Sequence, residues 1–269
     1  MLFYNPKIDK EKYVIATYFI GCKKEDLSKA AWDLAIGQSV GNPNVRNQWE
    51  TNEIFEQSSC VILHEKSELQ KVKKGYVKIG FPVINTDWEG DGISHLLCQL
   101  MGGQMDIDIF ESCRLTKINF PKEVLKNYLG PKYGISGLRK ISSQIDKPFS
   151  GAIIKPKTGM SPNVLLEMVK ELVDGGVDFI KEDEILSNPS FCRIEDRVPL
   201  ISNFISKQSK KVIYAVCING DHHHVMKRAK MVSELGGNSI HINHWAGLGV
   251  YNAVRKMDLP THQLPRKRL

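Results

Sequence analysis

Along the first half of the chain the apolar positions switch between strand-like runs and helical spacing. Residues 13–20 (YVIATYFI) are β-branched and aromatic, which predicts a strand. Between 24 and 36, Leu27, Ala30, Ala31, Leu34 and Ala35 recur at helical spacing and predict a helix. Strand-like runs follow at 60–64 and 76–81, then a helical pattern around 93–101 and another strand near 114–118. Residues 37–44 (GQSVGNPN) form a loop by composition. Strands and helices mixed in this order predict an α+β unit.

After Gly130 the texture changes. Residues 130–134 (GPKYG) read as a turn, and Pro148 precedes a short apolar strand at 151–154 (GAII). A helix is expected from Ser161, its N-cap, with Pro162 at the first helical position and Leu165, Leu166, Met168, Val169 and Leu172 on its apolar positions. Gly175 and Gly176 stop it. Then come a strand at 177–180, a helix at 199–208, a strand at 212–217, a helix at 225–235 stopped by Gly236 and Gly237, and a strand at 239–242. A last helix starts near 249–251 and ends by Pro260. Short apolar strands alternating with helices predict βα units around a parallel sheet. A closed (β/α)8 barrel needs eight strands and roughly 200 residues or more, whereas only about 120 follow Gly151, so the pattern predicts four units, half a barrel. The change in texture divides the chain into domains 1–135 and 136–269.

Composition narrows the class. The 269 residues are 42% hydrophobic and 25% charged, a globular balance that excludes disordered, collagen-like and coiled-coil chains. No run approaches the roughly 20 apolar residues of a membrane-spanning helix. Residues 1–12 carry charges and Pro6 where a signal peptide carries its apolar stretch. Cys22, Cys60, Cys98, Cys113, Cys192 and Cys217 show no metal-type spacing and fit reduced thiols, so a cytoplasmic protein is expected. The net charge is +7, but Arg266, Lys267 and Arg268 supply three of those charges, and the remainder is no nucleic-acid footprint. Neither nucleic acid nor membrane is an expected partner.

Two of the predicted parallel strands end in charged clusters: IIKPKTG at 153–159 and FIKEDE at 179–184. In a βα barrel the C-terminal strand ends form the mouth where chemistry takes place. Alternate residues of a strand share a face, so Lys181 and Asp183 project together, and a turn after Asp183 swings Glu184 towards them. Carboxylate oxygens suit Mg²⁺, and one or two of them with substrate oxygens make a usual site. Lys181 ligates only if it is neutral or carries a carboxyl group of its own. Lys155 and Lys157 share one side of their strand end, placed to hold an anionic group or to act as a base. Solvated turn charges are the competing interpretation of each cluster alone; two clusters on adjacent strands favour a site.

These residues resemble the ribulose-bisphosphate carboxylase large-chain superfamily (RuBisCO and RuBisCO-like proteins). The resemblance rests on GAIIKPKTGMS at 151–161 paired with GGVDFIKEDE at 175–184. Gly130-Pro-Lys-Tyr-Gly134, Arg197, MKRA at 226–229 and ELG at 234–236 support it. It implies a ferredoxin-like α+β N-terminal domain before the partial TIM-type barrel. It also implies that Lys181 is carbamylated by CO₂, that Lys181, Asp183 and Glu184 hold Mg²⁺, and that Lys155 and Lys157 are catalytic. Lys155 would handle proton transfer during enolisation, with Lys157 beside the reacting centre. The family reaction begins with proton abstraction next to the carbonyl of a ketose phosphate. A homodimer with each site shared between subunits is implied as well.

The departures from the family pattern set the branch. Carboxylating members carry Glu-Ser-Ser-Thr-Gly-Thr where this chain has GQSVGN at 37–42, so their glutamate is Gly37 and their last threonine Asn42. Their Gly-Asn before the domain junction is Gly102-Gly103 here. Loss of the glutamate and the asparagine argues for the RuBisCO-like (form IV) branch, with isomerase, enolase or decarboxylase outcomes on a phosphorylated ketose or oxo-acid sugar. Gln38 and Asn42, with Arg46, either bind such a substrate across the dimer or form an ordinary Gly/Asn turn. Strands five to eight of the family bring a histidine-arginine pair, a closing lysine loop and phosphate-gripping glycines. The residues after Pro260 match no expected fifth strand, and a C-terminally truncated or frameshifted gene is the expected cause. The open edges would then lie on the first and fourth strands.

Other features are weaker. Consecutive His222, His223 and His224 point in different directions at a helix start and make a poor chelate. His241 is either a mouth residue or a hydrogen-bonded core histidine, and Asn243 is the more plausible polar mouth residue. Gly247-Leu-Gly249 is too short to establish a phosphate cradle. Two rivals stand beside the RuBisCO-like reading: a genuine carboxylase that fixes CO₂ on ribulose bisphosphate, and a non-catalytic remnant or dimerisation partner.

Overall fold

The computed structural model of the protein describes residues 3–24, 26–257, 259 and 262–265. The chain forms two compact units, Met1–Tyr128 and Leu129–Leu269. The turn at 130–134 and the helix after it therefore go with the second unit.

The first unit runs β1 (Tyr13–Cys22), α1 (Leu27–Gly37), α2 (Asn52–Ser58), β2 (Val61–Ile62), α3 (Lys66–Leu69), β3 (Lys74–Pro82), α4 (Gly92–Met101), β4 (Phe110–Asn119) and α5 (Lys122–Leu125). Its sheet has the order β2-β3-β1-β4 and every pair is antiparallel. Two interleaved βαβ crossovers, through α1 and through α4, give the expected ferredoxin-like arrangement. On β1 the alternate residues Val14, Ala16, Tyr18, Ile20 and Cys22 enter the core with Leu27, Ala30, Ala31 and Leu34 of α1 and Leu96 and Leu100 of α4. The alanines of α1 let its backbone lie close to the sheet. Asp26 starts that helix by accepting from Lys29 N at 3.0 Å. The short helices α2 and α3 were not legible in the apolar pattern, since each buries a single residue, Phe55 and Leu69.

The second unit begins with α6 (Gly134–Ser142), which has one buried residue and no counterpart among the expected elements. It continues as β5 (Gly151–Ile153), α7 (Pro162–Asp174), β6 (Phe179–Lys181), α8 (Ile194–Ser206), β7 (Ile213–Cys217), α9 (His222–Glu234), β8 (Ser239–Ile242), α10 (Leu248–Lys256) and β9 (His262–Pro265). The five strands are parallel and lie in sequence order, a partial βα barrel. Gly151 is required by packing, because a Cβ there would lie 2.1 Å from the Phe179 ring. Ser161 caps α7 and Pro162 opens it as expected. Gly176 and Gly236 follow the ends of α7 and α9 at φ +80° and +79°, a conformation open to glycine without strain. One parity of the strands (Ile180, Tyr214, Val216, Ile240, Ile242) packs on Leu165, Val169, Val198, Ile201, Val225, Ala229 and Val254 of the helices. The other parity carries Lys181 and Asp183.

Three expectations need correction. The sequence predicts four strands and an edge at the fourth; the structure has β9, paired in register with β8 from Ser239↔His262 to Ile242↔Pro265. Helix α8 starts at Ile194 rather than Pro199, which sits inside it. A proline reads as a helix start, yet here the first turn is ordered by Asn188, whose Oδ1 accepts from Ile194 N at 2.7 Å. Helix α9 starts at His222, so the three histidines form its first turn. Pro260 and the basic Arg266, Lys267 and Arg268 lie outside the described residues.

Candidate active site

The C-terminal ends of β5 and β6 bring the two charged clusters together, because the parallel register sets Ile153 opposite Lys181. Lys155 Nζ lies 2.5 Å from Asp183 Oδ2, and Lys181 Nζ lies 3.2 Å from Glu184 Oε1. Lys181 Nζ also donates to Glu182 O at 3.1 Å. Asp183 is buried at 4% exposure, whereas the Lys155 side chain is 53% exposed. Lys157 is exposed.

The carboxyl groups are held in their anionic forms. For Asp183, burial opposes ionisation, but the hydrogen bond from Lys155, the Ile185 N–H at 3.3 Å and the charges of Lys155 and Lys157 outweigh it and lower the pKa. For Glu184, burial is likewise outweighed, by its own backbone N–H, by Lys181 and by His241. Among the described residues no group of three or more His, Cys, Asp or Glu is placed to hold a metal. Asp183 and Glu184 are thus anionic carboxylates paired with different lysines, Lys155 and Lys181. Carboxylates of this kind suit a hard divalent cation, and Lys181 would join them as an oxygen ligand only as a carbamate. All six cysteines are free thiols, as their spacing predicts.

The remaining sequence-selected residues have other engagements. His241 is buried at 1% exposure beside Glu184 in the electrostatics of the site. Asn243 accepts from Trp245 N at 3.0 Å and caps a short 3₁₀ turn at His244–Ala246, while its own N–H donates to Asn219 Oδ1 at 2.7 Å. In the first unit, Gln38 Nε2 donates to Cys98 O and Gln99 O at 3.1 and 2.8 Å, at the C-terminal end of α4. Asn42 Oδ1 accepts from Asn44 N and Val45 N, and the residue lines a cavity of about 270 Å³ with Asp33, Asn44, Gln104 and Asp108.

Two elements of the site escaped the sequence pattern. Asn219, just after β7, donates from Nδ2 to Glu184 O at 2.6 Å and so joins the ends of β6 and β8. Its position two residues past an apolar strand, like Lys155 after β5 and Asp183 after β6, was the available signal. Glu182, read only as part of the charged run, faces away from Lys181 and Asp183 and is 0% exposed, paired with the equally buried Arg197.

Comparison with known proteins shows the family and the fold. Residues 134–263 match the family described as ribulose bisphosphate carboxylase large chain, catalytic domain. A ribulose bisphosphate carboxylase-like protein of Archaeoglobus fulgidus is 32% identical over 258 residues, covering 89% of this chain and 56% of that protein. A 3-oxo-isoapionate-4-phosphate decarboxylase of Rhizobium rhizogenes is 32% identical over 191 residues, covering 69% of this chain and 45% of that enzyme. Among solved structures, the octameric RuBisCO of Pyrococcus horikoshii superposes with a TM-score of 0.85 at 23% identity, over 99% of this chain and 63% of that one. A RuBisCO-like protein of Burkholderia fungorum gives 0.81 at 22%, over 96% and 65%. The chain therefore spans a little over half the length of the first of these curated relatives.

Proposed function

The chain belongs to the ribulose-bisphosphate carboxylase large-chain superfamily, and from that premise we propose that it serves Mg²⁺-dependent enolisation in the RuBisCO-like branch. The substrate class is a phosphorylated ketose or oxo-acid sugar, and the outcome is of isomerase, enolase or decarboxylase type. The observation that carries this reading is the meeting of Lys155, Lys181, Asp183 and Glu184 at neighbouring strand ends.

In this reading Lys181, as a carbamate, holds Mg²⁺ with Asp183 and Glu184. When bound, the ion supplies stabilisation for the negative charge that develops on the substrate oxygens. Lys155, once it has left Asp183 and given its ammonium proton to solvent, takes the proton from the carbon next to the carbonyl as a neutral amine, and its exposure leaves it free to swing. Lys157, exposed on the same strand end, places positive charge beside the reacting centre and suits an anionic substrate. Asn219 holds the main-chain carbonyl of Glu184 against the end of β7 and so fixes the backbone from which that carboxylate projects. His241 and Asn243, both buried at the end of β8, would reach substrate only once their present contacts open, and Gln38 and Asn42 serve the neighbouring subunit's site in a cytoplasmic homodimer. For Gln38 that role requires release from the end of α4.

Position 37 favours this branch over a carboxylase. A Cβ on Gly37 would lie 2.4 Å from Gln104 Cδ, so the end of the Gln104 side chain occupies the space beside this position and would have to move to admit a glutamate. Gly103, by contrast, has nothing within 4 Å of a would-be Cβ. The test is deuterium exchange, followed by NMR, at the carbon next to the carbonyl of phosphorylated ketoses, with Mg²⁺ and bicarbonate in D₂O. Exchange with the wild-type protein that is lost in Lys155→Met is expected. Absence of exchange on every phosphorylated ketose would refute the proposal, and robust CO₂ fixation on ribulose bisphosphate would assign the carboxylase branch instead.

A further inference from the structure

We propose that Arg197 is the positioning residue of this site, acting through Glu182 to set the backbone from which Lys181, Asp183 and Glu184 project. The inference rests on the metal-site reading above and deepens it. Strand parity turns Lys181 and Asp183 to the mouth and Glu182 to the opposite side, into the layer between sheet and helices. A carboxylate with 0% exposure persists there only if its oxygens are satisfied. Glu182 Oε1 accepts from Arg197 Nε at 2.7 Å and from the Tyr214 hydroxyl; Oε2 accepts from Arg197 Nη2 at 2.9 Å and Cys217 N at 2.7 Å. The guanidinium then reaches outward, with Nη1 donating to Cys192 O and Nη2 to Ser187 O, both at 2.6 Å.

One side chain of α8 thereby ties the end of β6, the end of β7 and both ends of the loop between residues 187 and 192. Ser187, three residues after Glu184, is held at φ +44° with its hydroxyl donating to Asn219 O at 2.6 Å, so this loop turns sharply at the point the arginine grips. An apolar pair of the same volume could fill the space with similar stability. It could not supply directed hydrogen bonds to Ser187 O, Cys192 O and Cys217 N, and these bonds fix where residues 181–184 lie. Partners behind a ligand set act on affinity by orienting it.

The test compares Arg197→Met with Ile201→Ala, a core truncation on the same helix, in the full chain. Mg²⁺ binding with bicarbonate is read by calorimetry, and melting temperatures are matched by choice of temperature or osmolyte. Arg197→Met is expected to lose about 10–100-fold in Mg²⁺ affinity, while Ile201→Ala retains the wild-type value. If Arg197→Met does not fold, Tyr214→Phe removes one bond to Glu182 and is expected to move affinity in the same direction. A second readout needs no metal: acetic anhydride labelling of Lys181, relative to Lys170 in the same digest, rises when the anchor is lost. Equal Mg²⁺ affinity in Ile201→Ala and the anchor variant overturns the positioning role and leaves the metal site standing. Wild-type protein that binds no Mg²⁺ overturns the proposed function instead. In that case the labelling decides: a rise in Lys181 labelling supports positioning, and unchanged labelling overturns it.

Discussion

Asp178→Asn tests whether the start of the β5–β6 pair is held by charge. Asp178 is 2% exposed; its Oδ2 accepts from Ser150 N at 2.8 Å, and its Oδ1 lies 2.8 Å from Lys210 Nζ. Its backbone N–H donates to Ser150 O at 2.7 Å, so both ends of this residue fasten the strand that leads to Lys155. The Lys210 side chain is 35% exposed, which limits that pairing to about 1 kcal/mol or less. The part-buried bond from the Ser150 N–H to a carboxylate contributes up to about 1.5–3 kcal/mol, of which asparagine, with one neutral acceptor, retains part. The net loss is about 2 kcal/mol at pH 7, or roughly 4–8 °C in melting temperature for a domain of this size.

The pH dependence makes the test specific. Burial opposes ionisation of Asp178, but Lys210, the Ser150 N–H and Gln144 outweigh it and lower the pKa. A lowered folded-state pKa means that the wild-type advantage is full above the unfolded value of about 3.9 and is lost as pH falls through the folded value. The difference between the two proteins cancels the other carboxylates. Urea unfolding followed by circular dichroism at pH 7, 5, 4 and 3 should show the gap between wild type and variant steady down to pH 5 and narrowing below pH 4. A gap that stays constant to pH 3 and below, widens in acid, or is missing at pH 7 refutes the reasoning.

Lys181→Ala should abolish Mg²⁺-dependent ligand binding measured by calorimetry, and retained binding would remove Lys181 from the site. Leu165→Ala, a fully buried contact between α7 and the parallel sheet, should cost about 2–5 kcal/mol in denaturant unfolding; a loss under 1 kcal/mol would contradict its place in the core. Gly37→Ala should cost less than about 1 kcal/mol because its Cβ meets only the movable end of the Gln104 side chain, and any cost should vanish in a Gln104→Ala background. Additive effects of those two substitutions would show that Gln104 does not fill the space.

Local rules alone determined much of this protein. The apolar run of β1, the Ser161–Pro162 start of α7 and the glycines that end α7 and α9 depend on neighbours a few residues away. So does the projection of Lys181 and Asp183 from one face of β6, and residue identity then marks the strand end as a candidate site. Only the tertiary structure decided which polar groups were already engaged. Gln38 and Asn243 have sequences that read as binding residues, yet one holds the end of α4 and the other caps a turn. Arg197 could have been a surface charge on α8; that it is sealed against Glu182 follows from the approach of β6, β7 and the helix. The fifth strand is of the same kind, because parallel pairing joins segments about 20 residues apart through contacts that no local pattern records. Propensity and periodicity act along the chain, whereas burial and hydrogen-bond partnership are set by what folding brings across it.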